Sequence, residues 1–181
     1  DFGEKGFKNV KIETINFVVE IQRKPAQTIV ESYITEKVAV QQQSYLMDTK
    51  FPYWIIYRTE DFDKVADKME FNVFKVYRDR VITKSLTKGN GQVRVLKSRN
   101  IGDNQIIDIP EYDSYVDNIE GLDVSKFLNR TNCVLLPNLT YNTRACFLPK
   151  GCIADGSVAI LTLANNDEVI TKEDLSFYAT D

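Results

Sequence analysis

Residues 75–101, which we call the basic half, contain side chains that could bind a polyanion. They hold eight of the 23 Lys and Arg residues and a single acid, Asp79, in a chain whose net charge is −3. Lysine and arginine contact phosphate oxygens, and arginine and asparagine also hydrogen-bond to guanine and adenine edges. The cations are Lys75, Arg78, Arg80, Lys84, Lys88, Arg94, Lys97 and Arg99. This composition is typical of a polyanion-binding surface.

Residues 102–124, the acidic half, follow directly and carry seven acids and no cation. One interpretation is that they lie away from the phosphates and repel misdocked DNA. The alternative is an ordinary solvated face on which the cations of the basic half pair with these acids. The seven acids have no regular alternate spacing, so they do not indicate a calcium loop.

The basic half divides into a predicted loop and a predicted strand. Residues 81–91 change from apolar to hydroxyl, lysine and glycine, which favours a loop that can approach a phosphate closely. Residues 92–101 indicate a strand that directs Val93, Val95 and Leu96 to the core and Arg94 to the opposite face. We expect Lys84, Ser85, Lys88 and Lys97 to contact the DNA backbone, and Arg94, Arg99 and Asn100 to face base edges.

A second polar cluster, Tyr141 with Arg144, is a further candidate for base contacts. An ordinary hairpin loop explains this cluster as well. Elsewhere, residues 7–21, 28–34, 53–57, 133–136, 145–148 and 157–163 have the β-branched and aromatic content of strands. A helix is predicted from Thr59 to near Phe71, with Phe62, Val65, Ala66 and Met69 on its apolar face. The predicted fold class is therefore α+β and strand-dominated.

The chain has no histidine, which excludes His-based nucleophile pairs and His-ligated metals within it. Asp48-Thr49-Lys50 fits the Asp-x-Lys element of metal-dependent nucleases, but such a triplet is expected by accident in a chain this rich in charge. We therefore predict no catalytic residue and no metal site. No apolar run is long enough to cross a bilayer and no leader is evident, so we expect a soluble, cytoplasmic protein without membrane contact.

Three segments resemble the target recognition domain of adenine-specific restriction-modification methyltransferases. They are Val81-Ile82-Thr83-Lys84-Ser85, the run Arg94-Val95-Leu96-Lys97-Ser98-Arg99-Asn100-Ile101, and residues 132–148 with Asp155-Gly156-Ser157. They are similar also to the repeated recognition domains of type I restriction specificity subunits, which carry an Arg-Val-x-x-x-x-Asn-Ile phrase. The opening residues 1–15 look like the closing strands of a catalytic domain.

This resemblance implies two domains and a function. Residues 1–57 would be the C-terminal strands of a methyltransferase-type domain, and residues 58–181 a recognition domain truncated at its C-terminus. The module would recognise duplex DNA in a sequence-specific manner and contact the catalytic domain of the same parent chain. The parent would use S-adenosylmethionine to methylate adenine.

The chain departs from the family's catalytic motifs. Phe51-Pro52-Tyr53-Trp54 has one proline where the adenine-gripping tetrapeptide has two, and Gly89-Asn90-Gly91 lacks the flanking strand and helix of a cofactor loop. We therefore expect no cofactor and no methyl transfer in this fragment alone. Two alternatives remain: a protein-interaction module, if the aromatic rings of residues 51–57 are exposed rather than in the core as we expect, and part of a metal-dependent restriction nuclease.

Overall fold

The computed structural model describes residues 2, 5–9, 14–18, 26–52, 54–56, 58, 60–165 and 167–178. For residues 177 and 178 it describes the backbone only. The chain divides into two compact units, Asp1–Phe71 and Asn72–Asp181. The domain boundary predicted after residue 57 concerns the parent protein and stays a prediction. In the described residues, no helix is both long and apolar enough to cross a membrane.

The first unit contains a β-hairpin and two short helices. Strands β1 (Gln27–Ser32) and β2 (Lys37–Gln42) pair antiparallel, with Ile29 opposite Val40. Helix α1 (Gln43–Leu46) follows directly, and helix α2 (Glu60–Ala66) comes after a connecting segment. The side chains of β1 alternate between the two faces of the hairpin, so Val30 is buried while Ile29 is exposed.

A paired arginine and an aromatic cluster hold the end of α1 near α2. The Arg58 guanidinium bonds to Asp48 at 3.0 Å and to Asp63 at 2.6 Å, and it lies 4.8 Å from the Phe51 ring centre. Burial lowers the pKa of Arg58, but its hydrogen bonds to Asp63 and Asp48 raise it by more. Phe51 is buried and packs on Phe62 at 5.5 Å.

The second unit contains two sheets. Strands β3 (Phe74–Tyr77), β6 (Cys133–Pro137), β7 (Cys146–Phe147) and β9 (Val158–Leu163) form an antiparallel sheet in the order β3-β9-β6-β7. Strands β4 (Val93–Leu96), β5 (Ser114–Val116) and β8 (Cys152–Ala154) form the other in the order β5-β4-β8, in which β4 and β8 are parallel. Short 3₁₀ helices occupy Ser98–Asn100 and Asp123–Phe127, and helix α3 spans Lys172–Tyr178.

The four-stranded sheet of the second unit is buried on both faces. Leu135 of β6 and Ile160 of β9 belong to a core cluster that includes Val95 and Ile153 of the three-stranded sheet. Their neighbours on the same strands, such as Val134, belong to a separate cluster with residues of the C-terminal segment, Ile170 and Leu175. Because successive strand residues point to opposite faces, one apolar run supplies both cores.

The structure confirms the α+β, strand-dominated fold class. The strands predicted at residues 133–136, 145–148 and 157–163 correspond to β6, β7 and β9. The strand predicted at residues 28–34 corresponds to β1, and the one predicted at 92–101 is shorter and ends at Leu96, where the chain turns into Ser98–Asn100.

Predictions in the first unit were less successful. Helix α2 ends at Ala66 rather than near Phe71, and Val65 and Met69 are exposed rather than on a buried face. Residues 15–18 and 54–56 lie in no strand, and Phe17 and Val18 are exposed. Residues 10–13, 19–21, 53, 57 and 59, on which those predictions also depended, lie outside the described residues. Strand-type composition forms a strand only where a partner strand is available.

Candidate nucleic-acid interface

One tight turn, residues 155–157 between β8 and β9, anchors three loops of the second unit, and we call it the anchor turn. Asp155 fixes its conformation by accepting hydrogen bonds from the Ser157 amide at 2.9 Å and hydroxyl at 2.6 Å. The Asp155 amide donates to the Leu96 carbonyl at 3.0 Å, at the end of β4. The turn therefore lies at the carboxyl ends of the parallel strands β4 and β8.

The first anchored loop, residues 78–88, carries Lys84 and Ser85. Arg78 Nε donates to the Gly156 carbonyl at 2.8 Å. Asp79 is buried and accepts hydrogen bonds from the amides of Val81 and Ile82 at 2.8 and 2.6 Å. A Cβ on Gly156 would lie 2.6 Å from the Asp79 carbonyl oxygen, so this close approach requires glycine.

The other two loops contact the same turn through Ser157. The Ser98 amide, in the 3₁₀ turn after β4, donates to Ser157 Oγ at 3.0 Å. At the start of the loop after β6, Asn138 donates from its amide to the Ser157 carbonyl at 3.0 Å and from Nδ2 to the Gly156 carbonyl at 2.7 Å. The anchor turn thus holds together the segments that carry Lys84, Arg99 and Tyr141.

Lys97 and Arg99 flank one aromatic ring, that of Tyr112. The Lys97 ammonium lies 3.8 Å and the Arg99 guanidinium 4.8 Å from the ring centre. Lys97 Nζ also donates to the Tyr112 carbonyl and to Ser114 Oγ, the latter at 2.7 Å. Burial lowers the pKa of Lys97; the charges of Lys84 and Arg99 lower it further, whereas Asp155 and Asp113 oppose the shift. Lys84 and Arg99 are therefore close enough to Lys97 to repel it.

Lys84 and Arg99 are the predicted cationic contacts that remain available to a ligand without a carboxylate partner in the described residues. Both side chains are exposed, and neither has an ion pair with a carboxylate in the part of the chain that the structure describes. Ser85 follows Lys84 in the first anchored loop. It is also exposed, and its hydroxyl shares a 2.7 Å hydrogen bond with the Thr83 hydroxyl. Its exposed hydroxyl is compatible with a phosphate contact.

Arg94 faces the acidic half instead of a ligand. Its side chain is 19% exposed and bonds to Asp108 at 2.6 Å and Asp113 at 2.9 Å. Burial lowers the pKa of Arg94, but its contacts with these two carboxylates raise it by more. Arg94 Nε is buried without a partner in the described residues. The prediction that Arg94 contacts a base edge is therefore wrong, because its guanidinium already bonds to two carboxylates.

Asn100 is fully buried, so it has no atom free for a base edge. Its Nδ2 donates to the Ile107 carbonyl at 3.0 Å and to Asp113 at 2.6 Å, and its Oδ1 accepts from the Lys97 amide at 3.0 Å. The prediction that Asn100 contacts a base edge is therefore also wrong. Asn100 instead fixes the 3₁₀ turn that presents Arg99.

Lys88 is exposed like Lys84 and Arg99 but, like Arg94, it has a carboxylate partner. Its Nζ lies 2.6 Å from Asp117 Oδ2, with both side chains more than half exposed. The hydrogen bond and the charge of Asp117 raise the pKa of Lys88. Asp117, Asp108 and Asp113 all pair with cations of the basic half, so the alternative interpretation, a face on which the charges pair with one another, describes these three acids.

The loop between β6 and β7 gives a mixed result. Tyr141 is entirely exposed, whereas Arg144 is half-buried and its Nε is buried without a partner in the described residues. The sequence reasoning missed Tyr112, Leu139, Asn138 and the anchoring role of Gly156 and Ser157. Tyr112 lies among acids, so charge counting directed attention away from it.

In the nuclease triplet, Asp48 and Lys50 each form an ion pair with another residue. Asp48 follows α1 rather than a strand, accepts from the Lys50 amide at 3.0 Å and pairs with Arg58, while Lys50 pairs with Asp67 at 2.6 Å. The Lys50 amide and then Arg58 lower the pKa of Asp48. Among the described residues, no group of three or more Cys, Asp or Glu is placed to hold a metal ion.

A scan against protein-family models finds no match, and a search of curated proteins finds none either. The resemblance to methyltransferase recognition domains therefore depends on the residues alone and stays a prediction. The same holds for the S-adenosylmethionine assigned to the parent protein and for the expectation that this fragment binds no cofactor.

Proposed function

We propose that the second unit binds duplex DNA and serves as the target recognition module of an adenine-specific restriction-modification methyltransferase. The observation that carries the proposal is the anchor turn, which gathers three loops at one edge of the unit. Two of them present exposed cations, Lys84 and Arg99, without carboxylate partners in the described residues. Unpaired cations on fixed loops are suited to phosphate contact.

We expect two kinds of contact with DNA, one to phosphates and one to base edges. Lys84, Lys97 and Ser85 would contact phosphates and set the register, while the exposed guanidinium of Arg99 would reach a base edge. The Tyr112 ring holds the Arg99 guanidinium by a cation–π contact at 4.8 Å, which reduces the conformational freedom that the arginine must lose on binding. Arg144 is half-buried and its Nε is enclosed, so it would contribute less to this surface than Lys84 or Arg99.

The proposal is tested by selecting bound duplexes from a randomised pool with the 181-residue chain. We expect a short motif to be enriched, and Arg99→Ala to relax preference at one position of it while the rest is retained. Enrichment that is unchanged in Arg99→Ala would remove Arg99 from base readout. Absence of binding at low salt with a folded protein would contradict the proposal as a whole.

A protein-interaction role is the second candidate, favoured by the first unit. Trp54 is 62% exposed, contrary to the expectation that this aromatic segment is core, although Phe51 in the same segment is buried as expected. Ile29, Val38 and Val40 are also exposed on one face of the hairpin. The partner would be the catalytic domain of the parent chain. Ile29→Ser with Val40→Ser should weaken that association and leave DNA affinity unchanged.

A further inference from the structure

The tip of the loop between β6 and β7 exposes two large side chains almost completely. Leu139 is 91% exposed and Tyr141 is at the fully exposed limit, whereas the next most exposed large apolar residue described in the second unit, Val169, reaches 74%. Single exposed apolar residues are ordinary on protein surfaces. Two at adjacent outward positions of one loop tip form a small apolar projection.

This loop is fixed at both ends. Asn138, directly before Leu139, makes two hydrogen bonds to the anchor turn. Within the tip, Thr140 Oγ1 donates to the Asn142 carbonyl at 2.6 Å. At the other end Ala145 is fully buried, and its carbonyl accepts from the Asn104 amide at 2.8 Å. The two side chains are therefore presented to solvent by a supported backbone.

The anchor turn that holds this tip also holds the loops of Lys84 and Arg99. A partner that matches Lys84 and Arg99 carries anionic groups. The same partner must also have an apolar interior that Leu139 and Tyr141 can enter. Stacked base pairs behind a phosphate backbone have this combination of properties. Proteins that bind the minor groove insert apolar side chains between base steps and kink the duplex in this way.

We propose that Leu139 and Tyr141 form a wedge that enters the minor groove of bound DNA and partly unstacks one base step. Leu139 has no polar atom and separates the two base pairs, and the Tyr141 ring stacks on the base that becomes exposed. This inference rests on the proposed DNA binding and adds a deformation of the DNA to it. It predicts a preference for DNA that is easily unstacked.

The test compares two duplexes of equal length, one fully paired and one with a central mismatch, in competition for the 181-residue chain. Because a mismatch lowers the cost of unstacking, the unchanged protein should prefer the mismatched duplex by about tenfold. The pair of changes Leu139→Ala and Tyr141→Ala should remove the preference. Val169→Ala, an exposed apolar residue elsewhere in the unit, is the matched control and should retain it.

The failure of this inference and the failure of DNA binding have different signatures. Lys84→Ala with Arg99→Ala should weaken binding to both duplexes equally and keep the mismatch preference. A preference that survives in the Leu139 and Tyr141 variant, or equal binding of the unchanged protein to both duplexes, overturns the wedge and leaves DNA binding intact. No binding to either duplex overturns the proposed function and the wedge with it.

Discussion

The basic half contains two groups of polar residues that differ in direction although they are interleaved in sequence. Arg94 and Asn100 face the acidic half and are held by Asp113, whereas Lys84 and Arg99 face solvent on anchored loops. The first group stabilises the turn on which the second is displayed. Charge counting along a sequence cannot separate the two groups, because the separation depends on which carboxylates the fold brings to each cation.

The largest difference between the groups should appear in stability. Asn100→Ala removes a buried amide with three hydrogen bonds and leaves Asp113, the Ile107 carbonyl and the Lys97 amide with one partner fewer. We expect the free energy of unfolding to fall by about 3 kcal/mol. Urea denaturation followed by circular dichroism measures it. Arg99→Ala is the control from the outward group and should change stability by less than about 0.5 kcal/mol.

Arg94→Met should also destabilise the protein, by about 1 to 2 kcal/mol, because it leaves the nearly buried Asp113 carboxylate without its cation. The same denaturation experiment provides the matched control. Asp108→Asn removes the exposed partner of Arg94 and should cost clearly less. Equal losses in the two variants would mean that Asp113 does not depend on Arg94.

Lys97 links the two groups, and this should appear in a pH dependence. Since burial and two neighbouring cations lower its pKa, part of Lys97 is neutral at a pH where an ordinary lysine, with pKa 10.5, is still charged. A bound phosphate favours the charged form, so binding takes up a proton and DNA affinity falls as pH rises through this range. Lys97→Arg stays charged and should flatten the profile. Parallel profiles would place Lys97 away from the phosphates.

The smallest effect should come from the exposed pair Lys88–Asp117. Asp117→Asn frees Lys88 from its carboxylate and should raise DNA affinity by about threefold. Lys88→Ala should reduce affinity by less than Lys84→Ala does, because Asp117 already neutralises Lys88. Titration at low salt measures both changes. A loss of affinity in Asp117→Asn would mean that Asp117 positions Lys88 rather than competing for it.

Local sequence patterns predicted β4, β6, β7 and β9 of the second unit because their apolar runs are buried on one or both faces, but they did not indicate β3, β5 or β8. Leu135 and Ile160 are examples in which composition and burial agree. The same reasoning failed for Phe17 and Val18, which have strand-type side chains but are exposed. Whether such a residue is buried depends on long-range partners that a local pattern does not contain.

The sequence predicted where the candidate interface lies but not which side chains of that region are exposed on it. Lys84 and Arg99 were expected at the surface and lie there. The inward direction of Asn100 arises from residues 107–113, which return to it only in the folded chain. The anchor turn was visible in the sequence as Asp155-Gly156-Ser157, but its contacts with Asp79, Ser98 and Asn138 span distances in sequence that no local signal reports.

The central claim, that Lys84 and Arg99 belong to the DNA-contacting surface, is tested most directly by the salt dependence of duplex binding in two charge-matched variants. Lys84→Ala with Arg99→Ala removes the cations beside the anchor turn. Lys150→Ala with Lys172→Ala removes two exposed cations from the turn before β8 and from α3. Fluorescence anisotropy over a salt series should show a smaller log–log slope only in the first variant, by about one for the lost Lys84 phosphate contact. Equal slopes in the two variants would contradict the account.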